Sequence, residues 1–159
     1  MIQRVLDHFL SERARRRSER SGLGTAAAKT VGEVLESIVL LAREYTSRTG
    51  SADFDSETWA KLIGDLGNKL VRHVQLIPDA GVREELRIAD ICIGSARIIA
   101  AGLPDASTRG GYLRHDANVC VTAALEGLTV VGAFLRGERV KPSEQLQILW
   151  AAVVADWEQ

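Results

Sequence analysis

"VCVTAALEGLTVVGAFL", residues 119–135, is the most apolar run of the chain. A run like this belongs either to a membrane span or to the inner helix of a bundle. A span needs about 20 apolar residues, so this run is short for one. Glu126 stands at its middle, and a carboxylate at mid-bilayer is costly. The run therefore reads as the buried helix of a soluble bundle, with no membrane partner. Ala123, Ala124 and Gly127 leave room for a neighbouring helix to approach closely.

Working outward from this run, apolar residues recur at helical spacing and no clear strand alternation appears. Ile2, Val5, Leu6, Phe9 and Leu10 form the stripe of a first helix that turns polar from Ser11 to Ser21. Gly22 and Gly24 read as its end. A second helix runs from Thr25 to Ser47, burying Val31, Val34, Leu35, Ile38, Leu41, Ala42 and Tyr45. Asp53 or Asp55 can cap a third, with the stripe Trp59, Leu62, Ile63, Leu66, Leu70 and Val74. Asp79 caps a fourth, which runs to about Ala101 and is ended by Gly102 and Pro104. The fifth spans about Gly110 to Arg136. The last starts after Pro142 and faces inward with Leu146, Leu149, Trp150, Val153 and Trp157. The expected fold is all-α: a single bundle of five to six helices. Helices four and five, with the narrowest polar faces, lie at its centre. Residues 1–24 form an N-terminal amphipathic and basic helix ending in a glycine hinge, and residues 25–159 form the bundle domain.

Composition agrees with one globular domain. The chain has 159 residues, 46% of them apolar and 26% charged, too apolar for disorder and long enough for one core. Aromatics are only 5%, so that core is aliphatic. A net charge of −1 gives no global attraction to nucleic acid or acidic membranes. The charge is uneven, however: residues 1–29 carry a balance of +4 and the remainder −5. Arginine is far commoner than lysine, which fits a GC-rich, bacterial genome. Cys92 and Cys120 lie in apolar runs with no Cys or His at metal-ligand spacing. They read as buried free thiols of a cytoplasmic protein with neither metal nor cofactor.

The stretch "RARRRSERSGLGTAAAKT" (13–30) invites a phosphate-loop reading through its glycines and Lys29-Thr30. The pattern G-x-x-x-x-G-K-[ST] needs glycines where Leu23 and Ala28 stand, and a strand where the arginines stand. The stretch reads instead as a joint before a helix. Arg13, Arg16, Arg17 and Arg20 share one helical face that could meet phosphates or an acidic protein. Glu12–Arg16 and Arg15–Glu19 are i,i+4 pairs, and no aromatic residue is nearby for base stacking. A solvated face is the simpler expectation.

On the fifth helix, His115, Asn118, Thr122, Glu126 and Thr129 form a polar stripe. Arg109 and His115 give Arg-x5-His near its start. This is similar to the Arg-x4–6-His element of HEPN-type ribonucleases, which are small helical bundles. The resemblance implies an RNase that pairs Arg109 and His115 across a dimer interface and cleaves RNA without metal. Gly110 stands where that element has a polar residue.

The leading expectation is a non-enzymatic protein acting through protein–protein interaction or as a homodimer. Its partner surface is Ile2, Val5, Leu6, Phe9, Arg13, Arg16, Arg17 and Arg20. The alternative is a nucleic-acid-associated protein or a HEPN-like ribonuclease.

Overall fold

A computed structural model describes the backbone of residues 2–48, 56–102 and 106–157. Side chains are described for residues 11–19, 21–45, 47, 57–95 and 117–155. The described residues form five helices and no strand: α1 (Ile2–Arg48), α2 (Ser56–Val74), α3 (Ala80–Gly102), α4 (Ala106–Leu135) and α5 (Glu144–Trp157). α1 packs on α2 and α4, α2 on α3, and α3 on α4, so these four close a ring around one core. α5 lies outside the ring against α3 and α4. The helices expected fourth and fifth are thus α3 and α4, and they are central: each has three neighbours, where α1 and α2 have two.

The core is aliphatic. Val31, Val34, Leu35 and Ile38 of α1 meet Ile63 and Leu70 of α2, Leu86, Ile88 and Ile93 of α3, and the small residues Ala117, Cys120, Ala123 and Ala124 of α4. The small residues decide the spacing. A Cβ on Gly127 would lie 3.0 Å from Leu35 Cδ1, and one on Gly32 would lie 3.6 Å from Val131 Cγ1. Those two contacts show α1 and α4 running antiparallel, because Leu35 precedes Gly127 while Gly32 meets the later Val131. The stretch Ala117–Leu135 is long and apolar enough to cross a membrane by length and composition, and 33% of it is buried inside the bundle. Leu62, expected in the buried stripe of α2, is exposed. Trp59, Ile63, Leu70 and Val74 carry the burial at spacings of 4, 7 and 4, and Leu62 falls just outside that arc. Asp53 and Asp55 lie outside the described residues.

The helix ends are chemically specified. Asp79 caps α3, accepting the Val82 N–H at 3.0 Å. Arg83 folds back to donate to the carbonyls of Ile77 (2.7 Å) and Pro78 (2.9 Å). α4 closes in a Schellman motif around Gly137 at φ 72°. There Glu138 N–H donates to Ala133 O at 2.9 Å and Gly137 N–H to Phe134 O at 3.0 Å.

α5 begins at Glu144, and its N-cap is Ser143 rather than a helical Pro142: the Ser143 hydroxyl accepts the Leu146 N–H at 3.1 Å. The same hydroxyl donates to Glu126 Oε2 at 2.8 Å, and the Ser143 N–H donates to the buried Glu85 at 2.8 Å. Two carboxylates from α3 and α4 therefore converge on the positive end of α5 and fasten it to the ring.

One expectation is corrected. The hinge at Gly22–Gly24 is absent, and the first and second expected helices are one continuous α1. A glycine in a helix interior costs about 1 kcal/mol relative to alanine, too little to break a long helix. Gly24 has a packing reason instead: it is buried, and a Cβ there would sit 2.5 Å from Pro78 Cδ and 3.2 Å from Pro78 Cγ. The turn between α2 and α3 rests against bare helix backbone at this point. Gly22 has nothing within 4 Å of an added Cβ.

Candidate interaction surface

Burial along α1 starts abruptly. From Gly24 onward the positions 24, 27, 28, 31, 34, 35, 38, 39, 42 and 45 are buried. Before it, every described residue from Ser11 to Leu23 is exposed except the half-buried Glu12. The register set by Leu35–Gly127 and Gly32–Val131 brings Leu135 to about the level of Ala28. α4 ends there, and the α2–α3 turn ends against Gly24. Residues 2–23 therefore leave the bundle as an overhang about 33 Å long at 1.5 Å per residue.

The overhang carries the expected arginines. Arg16 donates to Glu12 at 2.9 Å, and Arg15 stands 3.7 Å from Glu19. Arg13 and Arg17 are exposed and make no ion pair among the described residues. Helical spacing from Gly24 back through 20, 17, 16 and 13 sets these arginines on the stripe that faces the core further along α1. The arginine face thus looks over the end of the bundle. Going further back, the same spacing reaches Phe9, Leu6, Val5 and Ile2; the side chains of these four and of Arg20 lie outside the described residues.

Where the overhang leaves the bundle, large apolar side chains are exposed: Leu23 at 54%, Leu76 at 46% and Leu135 at 40%. A Cβ on Gly24 would lie 3.7 Å from Leu76 O, so the α2–α3 turn forms the wall of this junction. Sequence reading missed Leu76 and Leu135, because each closes a helical pattern that looks buried in isolation. The overhang is also under-supported as a single helix. Exposed i,i+4 pairs add little, Gly22 detracts, and most helical stability comes from packing an amphipathic face.

The other expected sites do not assemble into one place. Asn118 is exposed, Thr122 is half-buried, and Thr129 donates to Leu125 O within its own helix. Glu126 is half-buried and engaged by Ser143. Arg109 and His115 lie on α4, with side chains outside the described residues. Lys29-Thr30 sits within α1, where Thr30 donates to Ala26 O. Among the described residues no three His, Cys, Asp or Glu side chains come together as a metal-binding group. Cys92 is buried, which pushes its thiol up to about 11, and Cys120 donates to Ile93 O at 3.7 Å.

A cavity of about 440 Å³ opens between α2 and α3, with Val71, Val74, Arg83, Leu86, Arg87 and Asp90 in its lining. Its cations are already engaged: Arg83 by the turn carbonyls and Arg87 by Glu84, at 2.9 and 2.7 Å. Arg87 also lies 5.9 Å from the Trp150 ring centroid. The hydrogen bond from Arg87 holds the Glu84 carboxyl below its ordinary range. This rim braces α3 and α5 and leaves no cation free for an anionic ligand.

No family model, curated protein or solved structure matches the chain.

Proposed function

We propose that the chain is a non-enzymatic interaction protein whose working surface is the overhanging half of α1, offered to a second copy or to another protein. The observation that carries this reading is the change at Gly24: one continuous helix is buried on one stripe after that residue and exposed on the same stripe at the described positions before it, Arg13, Arg16 and Arg17. A helix that keeps an amphipathic pattern beyond its own core is built to be covered by something else. Light scattering across a concentration series tests it. Self-association is expected, and Phe9→Asp is expected to abolish it without lowering the melting temperature. If both proteins remain monomeric and no protein partner competes for the arm, the reading fails.

A second reading is favoured by Arg13 and Arg17, which are exposed and carry no counter-charge among the described residues. Nucleic acid held through these phosphate-binding groups would show an affinity falling steeply with salt, weakened by Arg13→Ala and Arg17→Ala together. Absence of RNA and DNA binding at low salt excludes it. The ribonuclease version places the chemistry on Arg109 and His115, and RNA cleavage that survives in His115→Ala removes it.

A further inference from the structure

We propose that α5 is a strap held by a latch at Ser143: it lifts from the folded ring as a unit and uncovers one buried stripe of α3, with Cys92 at its middle.

α3 carries two buried stripes. Val82, Leu86, Ala89 and Ile93 form the first, and α4 covers it. A Cβ on Gly127 would lie 3.6 Å from Leu86 Cδ2, and Cys120 donates to Ile93 O at 3.7 Å. Glu85, Ile88, Cys92 and Ser95 form the second, at spacings of 3, 4 and 3. It is turned about 100° from the first, the angle between adjacent residues of a helix. It does not face α2. Asp90, on the other side of the first stripe, does: its Oδ1 lies 3.5 Å from where a Cβ on Gly67 would stand. Among the described helices α3 meets only α2, α4 and α5. The second stripe therefore lies under α5, in its groove with α4. Ser143, at the start of α5, is held by Glu85 on one wall of that groove and Glu126 on the other. Glu84, three turns before Ser95 on the same side of α3, is exposed, whereas Ser95 is buried. The cover thus begins at Glu85 and continues toward Ser95. α5 has 14 residues and is about 21 Å long, more than the about 15 Å between those two positions.

Two features set α5 apart as a unit. It packs from one side only: Leu146 and Val153 are buried, while Ile148, Ala151, Ala152 and Ala155 are exposed. Its connection to α4 is exposed at residues 136–139, 141 and 142. An element with few buried contacts opens at a lower free energy than the whole fold. The latch is polar, so its two carboxylates exchange Ser143 for water when α5 lifts. Docked, α5 keeps Cys92 buried, and burial pushes that thiol up to about 11, where it is inert.

Thiol labelling of the full-length protein tests this. Cys92 lies under α5, whereas Cys120 sits between α4 and α3 within the ring, so the two native thiols report different openings. N-ethylmaleimide is added in urea below the main unfolding transition, and each cysteine is followed by peptide mass spectrometry. Cys92 is expected to react at least about ten-fold faster than Cys120. Ser143→Ala is expected to speed Cys92 about five-fold, the equivalent of one lost cap, and to leave Cys120 unchanged. Leu35→Ala, which loosens the ring, is expected to speed Cys120 more than Cys92. Equal rates for the two thiols mean that α5 leaves only when the ring unfolds, and they overturn the proposal. So does a Ser143→Ala protein in which both thiols speed up together. A faster Cys92 that Ser143→Ala leaves unmoved overturns Ser143 as the latch.

Discussion

The two halves of α1 share one backbone and one stripe direction yet live in different solvents. After Gly24 the stripe holds alanine, valine, leucine and isoleucine packed against α2 and α4; before it, the stripe holds the exposed Arg13, Arg16 and Arg17. Helix continuity is a local property, satisfied by backbone hydrogen bonds in both halves. What each half contributes depends on what stands opposite it. The inner half anchors the ring, and the outer half is exposed at most of its described residues.

Substitutions can break this contrast, and the largest effect belongs to the inner half. Leu35→Ala removes a fully buried side chain that fills the space over Gly127, and is expected to cost about 2–5 kcal/mol in urea unfolding. Leu23→Ala, on the exposed junction, should leave the monomer's stability within about 0.5 kcal/mol while weakening self-association. Equal losses at the two sites would mean that the overhang is folded back onto its own bundle.

Next is Gly24→Ala. The new methyl would meet the Pro78 ring at 2.5 Å, and overpacking of this kind costs about 1–3 kcal/mol. A neutral or stabilising result would show that the turn does not press on α1.

Ser143→Ala tests the opposite case, a peripheral helix that is fastened. It removes the cap of α5 and strands the hydroxyl's partner Glu126, with an expected loss of about 1 kcal/mol and faster amide exchange confined to α5. No change in exchange would mean that apolar packing alone holds α5. The smallest effect is Gly22→Ala, where nothing stands within 4 Å. Helix propensity predicts a gain of about 0.5–1 kcal/mol, visible as increased helicity. Opposite signs at Gly22 and Gly24, two residues apart, would locate the edge of the bundle by stability alone.

Much of the ring was legible in advance because helical periodicity reports burial directly. Of the expected stripes, Val31, Val34, Leu35, Ile38, Ala42 and Tyr45, then Trp59, Ile63, Leu70 and Val74, and then Leu146 and Val153 are buried where spacing put them. The Asp79 cap was legible too, since a short carboxylate before an apolar run has one local use. The glycine pair was misread because Gly22 and Gly24 carry the same local signal and differ only in a contact with Pro78, 54 positions away. Glu126 was ambiguous for a similar reason: its partner Ser143 arrives from another helix start. The candidate surface was half legible. The arginine face follows from spacing, whereas its outlook over the bundle's end depends on α4 and the α2–α3 turn stopping short of it.

By itself, the sequence determined the helices, their inner stripes and the basic character of residues 13–20, because periodicity and propensity act over a few neighbouring residues. The tertiary structure alone decided that Gly24 is a contact, and that Leu23, Leu76 and Leu135 are left exposed at one end of the bundle. Each of those turns on which distant segment packs against α1 and where that segment ends, a matter of helix length and register that no local pattern encodes.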